Sequence, residues 1–145
     1  MKEYFNNFKA TVEALRGGWL YIGDLGYKDE EGYFYLVDRK KEMIRRGGLN
    51  VYPCEVERVL YTHPKIKEAA VIGILDLKYG EEIKAVIMPK EGVWLDEEEI
   101  QRFCQENLAD YKCPKKIEFL QEMPLTGSGK IDKKELRRRE KERQS

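Results

Sequence analysis

Two long apolar runs, separated by only five residues, constrain the fold of this chain more than any other feature. The runs are EAAVIGILD (68–76) and EIKAVIMP (82–89), and the segment LKYGE (77–81) connects them. Apolar runs of this length are typical of strands and are too short to cross a membrane. A last short strand is predicted at KKIEFL (115–120).

Three helices are predicted around these strands. Pro53 can occupy the first position of a helix, and Pro64 requires that helix to end by His63. Two more helix starts are predicted at positions 96 and 132, where an aspartate precedes a glutamate by three residues. We therefore predict a small α+β domain from about residue 41 to 145, with a short mixed sheet of about three strands flanked by helices.

The sequence ahead of this domain predicts a separate and simpler structure. Residues 1–16 are typical of a short polar helix. Two aromatic-rich runs follow, Trp19–Ile22 and Tyr33–Val37, and they flank KDEEG (28–32). This pattern predicts a β-hairpin in which Gly32 takes a positive-φ turn position. The hairpin precedes the domain and is predicted to be attached to it rather than part of it.

Composition excludes several classes of protein. The 27 basic and 27 acidic residues cancel, so no overall charge attracts the chain to nucleic acid. The three cysteines are odd in number, form no CxxC pair and are accompanied by a single histidine. These counts argue against a disulfide framework and against a metal site, and they favour a cytoplasmic protein.

A glycine-rich loop, PLTGSGK (124–130), surrounds one lysine with permissive backbone. A phosphate-binding P-loop has a glycine six residues before the lysine and Ser or Thr directly after it. Those positions hold Pro124 and Ile131, so the P-loop interpretation fails. From the loop alone, a Gly-Ser turn carrying a solvated Lys130 is the favoured interpretation.

The C-terminal segment KIDKKELRRREKERQS (130–145) has eight basic and four acidic residues. It could contact RNA, DNA or an acidic membrane surface. Aromatic residues are absent from it and glutamates interrupt the basic run, so a solvated, internally paired helix is the favoured alternative.

Three stretches together carry more specific information. They are YIGDLGYKDEEGYFYLVDRKKEMIRRGGLNVYPCEVE (21–57), HPKIKEAAVIGILDLKYGE (63–81) and PLTGSGKIDKKEL (124–136). In this order and spacing they resemble the C-terminal portion of the adenylate-forming (AMP-binding) superfamily, which includes acyl-CoA synthetases, peptide-synthetase adenylation domains and luciferases. The likeness is greatest to acyl-CoA synthetases and fatty-acid-CoA ligases, and it extends from about Trp19 to Leu136.

The resemblance implies a domain organisation and a reaction. A larger N-terminal adenylation domain carries the phosphate loop for ATP and the pocket for the carboxylic acid, and neither is present here. Residues 1–40 correspond to the end of that domain, and 41–145 to a mobile C-terminal lid. The carboxylic acid and ATP, with Mg²⁺ at the N-terminal domain, form an acyl-adenylate, and CoA then displaces AMP. Neither nucleic acid nor stable membrane insertion is implied.

The resemblance also assigns roles to the lysine loop and the hairpin. Lys130 matches the catalytic lysine of adenylation, and Gly127 and Gly129 let the loop approach the nucleotide. Asp24 matches the acid that holds the ribose hydroxyls; an Asx-turn role is the alternative. Arg39 matches an arginine near the ribose or phosphates; a surface salt bridge is the alternative.

The remaining assignments concern the hinge and the thioester step. Lys41 falls at the hinge about which the lid rotates between the two half-reactions. Gly47 and Gly48 resemble the glycines beside the pantetheine tunnel, and Asn50 occupies a position held by polar residues. Arg45 or Arg46 could assist the thiol or bind the phosphates of CoA, or both could be solvated.

Two other functions stay open on the sequence. The chain could be a stand-alone nucleotide- or CoA-binding module, or a lid acting in trans. Alternatively, the adenylate could be transferred to the pantetheine of a carrier protein instead of free CoA. The acid itself is not encoded in these residues, because its pocket belongs to the N-terminal domain.

Overall fold

The computed structural model describes residues 3–144, which separate into two compact units divided between Lys41 and Glu42. The first unit contains α1 (Phe8–Ala14), β1 (Leu15–Arg16), β2 (Trp19–Leu20), β3 (Asp24–Lys28) and β4 (Phe34–Arg39). The strands pair antiparallel as β1 with β2 and β3 with β4. Within the described residues, no helix combines the length and the apolar character needed to cross a membrane.

The predicted hairpin forms, but its first strand was predicted wrongly. Strand β3, and not Trp19–Ile22, pairs with β4, and Lys28 lies opposite Phe34. The backbone N–H of Asp29 donates to the carbonyl of Tyr33 at 3.0 Å, which closes a turn in which Gly32 has a φ of 95°. This turn sets the register of the β3–β4 pair, in which the end of β4 lies opposite Asp24. The positive φ at Gly32 is confirmed.

The second unit is built on a five-stranded mixed sheet. Its elements are β5 (Ile44–Arg46), β6 (Leu49–Val51), α2 (Pro53–Tyr61), β7 (Ile66–Asp76), β8 (Gly80–Pro89), α3 (Glu97–Asn107), a 3₁₀ turn (Asp110–Lys112), β9 (Lys116–Phe119) and α4 (Lys133–Gln144). Strand β8 pairs antiparallel with β7 and β5 and parallel with β9, and β6 pairs with β5. The α+β class and the mixed sheet are confirmed. The number of strands exceeds the prediction because the GG loop closes an extra hairpin, β5–β6.

Helices cover both faces of this sheet. On one face Val71, Ile83 and Ile87 pack with buried residues of α2 and α3, while Ile72, Ile74 and Val86 pack with Leu136 of α4 on the other. A strand buried on both faces needs apolar residues at successive positions. The two long apolar runs are therefore explained by burial from both sides.

The predicted helix boundaries are confirmed by their caps. Pro53 is the first residue of α2, which ends at Tyr61 ahead of Pro64. At the starts of α3 and α4, the cap aspartates accept hydrogen bonds from the backbone N–H groups of Glu99 (2.8 Å) and Glu135 (3.1 Å). These bonds satisfy N–H groups that have no partner within the helix.

Candidate functional site

Lys130 ends a short, internally bonded loop that leads directly into α4. The N–H of Thr126 donates to the carbonyl of Lys130 at 2.7 Å, and the N–H of Gly129 donates to the carbonyl of Thr126 at 2.9 Å. The loop is thus held by its own backbone. The Lys130 side chain is exposed, and its ammonium has no partner among residues 3–144.

The two glycines of the lysine loop differ in what the chain requires of them. Gly129 has a φ of 79°, a left-handed conformation that favours glycine. Gly127 has no positive φ, and an added Cβ there would meet nothing within 4 Å. No contact within the described residues explains a glycine at 127. Its small size is therefore available for close approach by something outside the chain.

Gly47 and Gly48 form the two-residue turn between β5 and β6. Arg46 lies opposite Leu49, and the two glycines have φ values of 57° and 84°. Consecutive positive φ angles in a two-residue hairpin define a type I′ turn, which favours glycine at both positions. A Cβ on Gly47 would also lie 3.2 Å from the ring of Tyr79. Local backbone geometry therefore accounts for both glycines, independently of any tunnel for a thiol.

A stability measurement tests this account of the turn. Gly48→Ala is expected to lower the free energy of unfolding by about 1–2 kcal/mol, because alanine must adopt a left-handed conformation. Gly127→Ala is the matched control and should change it by less than about 0.5 kcal/mol. Urea unfolding followed by circular dichroism measures both. A Gly48→Ala protein as stable as the wild type would contradict the turn assignment.

The two arginines beside this turn have different surroundings. Arg46 Nε lies 2.6 Å from Glu82 Oε1, and its guanidinium lies 4.8 Å from the centre of the Tyr79 ring. Arg46 is therefore not solvated. The Arg45 side chain is exposed, across from Asn50 in the β5–β6 pair, and its guanidinium has no ion-pair partner in the described part of the chain. Of the two, Arg45 is the one available to an anionic ligand.

The structure brings Asp24 and Arg39 together. They lie opposite each other in the β3–β4 pair, with Arg39 Nε 3.7 Å from Asp24 Oδ1. The arginine side chain is 74% exposed, so this ion pair adds little stability. Asp24 and Lys41 also line one open hollow of about 710 Å³. The ion pair agrees with the salt-bridge alternative, and the nucleotide-binding roles stay predictions.

Helix α4 is internally paired, as predicted, but it is not solvated on every side. Hydrogen bonds from Arg138 and Arg139 lower the pKa of Glu135 to about 2. On the opposite side Leu136 and Glu140 are 4% and 8% exposed. Glu140 Oε2 lies 2.6 Å from Nζ of Lys84, a buried lysine of β8. The prediction of a solvated helix was wrong because α4 covers one face of the sheet.

The sequence did contain a signal for this buried cluster. Lys84 interrupts the apolar run of β8, where a charge is tolerated only if it is paired. Its ammonium lies 2.7 Å from Glu118 and 2.6 Å from Glu140. The glutamates lie on β9 and α4, and nothing in local periodicity identifies them as partners.

No metal site is evident in residues 3–144, and the two buried thiols are inert. No group of three or more His, Cys, Asp or Glu residues there could hold a metal ion. None of the three cysteines forms a disulfide, and Cys104 and Cys113 are buried. Burial, assisted by the neighbouring Cys113, raises the pKa of Cys104 to about 12, so this thiol stays protonated.

Comparison with known proteins identifies the family. The family model described as "AMP-binding enzyme C-terminal domain" matches residues 55–130, more than half of the chain. The chain belongs to this family of C-terminal domains, and the resemblance inferred from the three sequence stretches is confirmed.

Curated relatives of the chain are CoA ligases. It is 48% identical over 142 residues to a long-chain-fatty-acid–CoA ligase of Bacillus subtilis (strain 168), covering 98% of this chain and 25% of the relative. It is 50% identical over 135 residues to a 2-succinylbenzoate–CoA ligase of Bacillus mycoides (strain KBAB4), covering 93% and 28%. The chain thus spans about a quarter of the length of these relatives.

A solved structure supports the fold. The o-succinylbenzoate CoA synthetase of Bacillus subtilis, in complex with its acyl-adenylate intermediate, superimposes with a TM-score of 0.88 at 40% identity. The match covers 94% of this chain and 28% of that chain. The small α+β domain is therefore the C-terminal domain fold of this family.

Proposed function

We propose that this chain is the C-terminal lid of an ATP-dependent, AMP-forming acyl-CoA synthetase, with residues 1–40 closing the large N-terminal domain. In the first half-reaction a carboxylate attacks the α-phosphorus of ATP and releases pyrophosphate. In the second, the thiol of CoA attacks the acyl carbonyl and AMP leaves. The lid supplies Lys130 to the first step and the β5–β6 turn to the second.

The observation that carries this proposal is the lysine loop. Lys130 extends into solvent with no partner among the described residues. Its self-bonded loop also contains Gly127, a glycine that no contact within the described residues explains. Adenylation brings together two anions, and a cation aligned on both stabilises the charge that develops between them. A lysine is a compact charge on a flexible stem, suited to reach into a site on another domain.

The exposed apolar side chains of the first unit favour a further domain that covers them. Phe8, Trp19, Phe34 and Leu36 are each at least 75% exposed, and Ala14 is the buried apolar residue described there. A large uncovered apolar surface marks an interaction site. This favours a larger protein over the stand-alone module and over a lid acting in trans. The N-terminal adenylation domain is the proposed partner, in the same chain.

The second half-reaction uses the β5–β6 turn and the residues beside it. We assign Lys41, at the boundary of the two units, as the pivot of the lid. Rotation about it replaces the lysine loop at the active site by the β5–β6 turn. Gly47 and Gly48 give this turn its shape. Arg45, which is exposed beside the turn, and Asn50 are the side chains assigned to CoA.

The substrates follow from the same proposal. ATP, CoA and a carboxylic acid are the substrates, and Mg²⁺ enters with ATP at the N-terminal domain. Asp24 and Arg39 are assigned to the nucleotide. Free CoA is preferred to a carrier protein because the named relatives are CoA ligases. We assign the protein to the cytoplasm, where cysteines stay reduced. Most charges of α4 are paired within the protein, which argues against nucleic acid as a partner.

Two measurements test the proposal. An antibody raised against this chain should detect, in the source cell's extract, a protein several times heavier than the 17.1 kDa of these 145 residues. That protein should then catalyse acid-dependent exchange of pyrophosphate into ATP. Palmitate, a long-chain fatty acid, and 2-succinylbenzoate are the first acids to test, because the named relatives are ligases of these classes. A band at the size of this chain alone, or no exchange with any acid, would contradict the proposal.

A further inference from the structure

A half-buried charge network ties the first residue of the second unit to α4. Glu42 Oε2 lies 2.5 Å from a guanidinium nitrogen of Arg137 and 4.0 Å from Nζ of Lys133. The same Lys133 ammonium lies 2.7 Å from Oε1 of Glu57 on α2. The four side chains are 17–28% exposed. Charges at this depth are less screened by solvent than those of a surface pair.

The network joins the two places that the proposed reaction must connect. Glu42 directly follows Lys41, and α4 begins three residues after Lys130. Glu57 also accepts a hydrogen bond of 2.7 Å from the backbone N–H of Val71, in the buried strand β7. The start of the unit, the lysine loop's helix and the centre of the sheet are therefore connected through one set of ions.

We propose that Glu42 and Arg137, with Lys133, are positioning residues that fix the pivot at Lys41 to the helix that carries the lysine loop. This inference rests on the proposed function. Rotation about Lys41 brings Lys130 to a defined position only if the backbone that follows Lys41 moves as one rigid body with α4. The ion pairs hold Glu42 to α4, so bending is confined to the pivot and the lysine arrives at the same place in each cycle.

The effect should fall on the rate of adenylation and not on substrate binding. A misplacement of about 1 Å can reduce a rate by about 10²-fold. ATP and the acid bind to the N-terminal domain, so their KM values should not depend on Glu42. We therefore expect Glu42→Ala to lower kcat for acyl-adenylate formation by about tenfold or more, with the KM for ATP within about twofold of the wild type.

The charge swap separates positioning from general stability. Glu42→Lys alone places a cation beside Arg137 and Lys133, and adding Arg137→Glu restores opposite charges across the contact. The double variant should recover kcat to within about threefold of the wild type, because interacting residues show non-additive effects.

Arg143→Ala is the matched control on the same helix. Arg143 lies 2.7 Å from Glu118 on β9 and makes no ion pair with Glu42, so its loss should leave kcat within about twofold.

The experiment uses the complete enzyme and pyrophosphate exchange with the acid that gives the fastest rate. An unchanged kcat in Glu42→Ala, no recovery in the double variant, or an equal loss in Arg143→Ala would overturn the inference. Failure of the proposed function is distinguishable, because the wild-type enzyme would then show no exchange with any acid, or Lys130→Ala would exchange as fast as the wild type.

Discussion

Lys130→Ala is expected to lower the rate of acyl-adenylate formation by about 10²–10³-fold in the complete enzyme, the scale for loss of one transition-state charge donor. The rate of thioester formation from preformed acyl-adenylate and CoA should be unchanged, because in the proposed function the lysine leaves the site for that step. Pyrophosphate exchange measures the first rate, and release of AMP from synthetic acyl-adenylate measures the second.

The structure provides a control for this substitution. Lys134 is an exposed lysine four residues further along the chain, so Lys134→Ala removes the same charge from the same region. It should leave both rates within about twofold of the wild type. Neither variant should be less stable, since the Lys130 side chain is exposed and without a partner among the described residues. Equal losses in the two half-reactions of Lys130→Ala would contradict the division of labour between the loops.

Lys84→Met is expected to lower the free energy of unfolding by about 3 kcal/mol at pH 7, because it leaves buried carboxylates without their cation. In this cluster the side chain of Glu140 is 10% exposed and that of Glu118 is 20% exposed. Adding Glu140→Leu should recover most of the loss, since Glu118 keeps its ion pair with Arg143. Urea unfolding followed by circular dichroism measures both variants. A loss below about 1 kcal/mol in the single variant would show that the cluster contributes little.

The same cluster predicts the acid side of the stability profile. Burial alone would raise the pKa of Glu118 and Glu140. The hydrogen bond and charge of Lys84, together with Arg143 at Glu118 and with Gln144 and Lys116 at Glu140, outweigh burial and hold each pKa below the usual 4.5. Stability from these carboxylates is therefore fully present above about pH 4.5 and is lost as the pH falls through the lowered values. The difference between wild type and Lys84→Met should be largest near pH 7 and should shrink below pH 4.

Local patterns in the sequence predicted those elements whose causes are local. The caps of α3 and α4 and the proline that begins α2 were identified correctly. So were the two long strands, whose largely apolar character reflects burial on both faces. The first strand of the hairpin was predicted wrongly, because aromatic content favoured Trp19–Ile22. The turn at Asp29–Tyr33 sets the register and selects β3 instead.

Contacts between distant residues could not be predicted in this way. The docking of α4 depends on Lys84 meeting Glu118 and Glu140, which are 34 and 56 positions away in the sequence (118 − 84 and 140 − 84). The pair between Glu42 and Arg137 spans 95 positions. Lys130 and the Gly47–Gly48 loop were singled out through the family resemblance, and their functional roles stay predictions. The ion pairs around them correspond to no local sequence pattern.

The coverage of both sheet faces has a consequence for how a lid can work. The second unit hides the faces of its main sheet with its own helices, so it does not depend on a neighbouring domain to keep them dry. A domain whose sheet is covered by its own helices can leave one docking surface for another and expose little apolar surface to water during the exchange. Both resting positions can then lie close in free energy, and small differences in ligand binding suffice to choose between them.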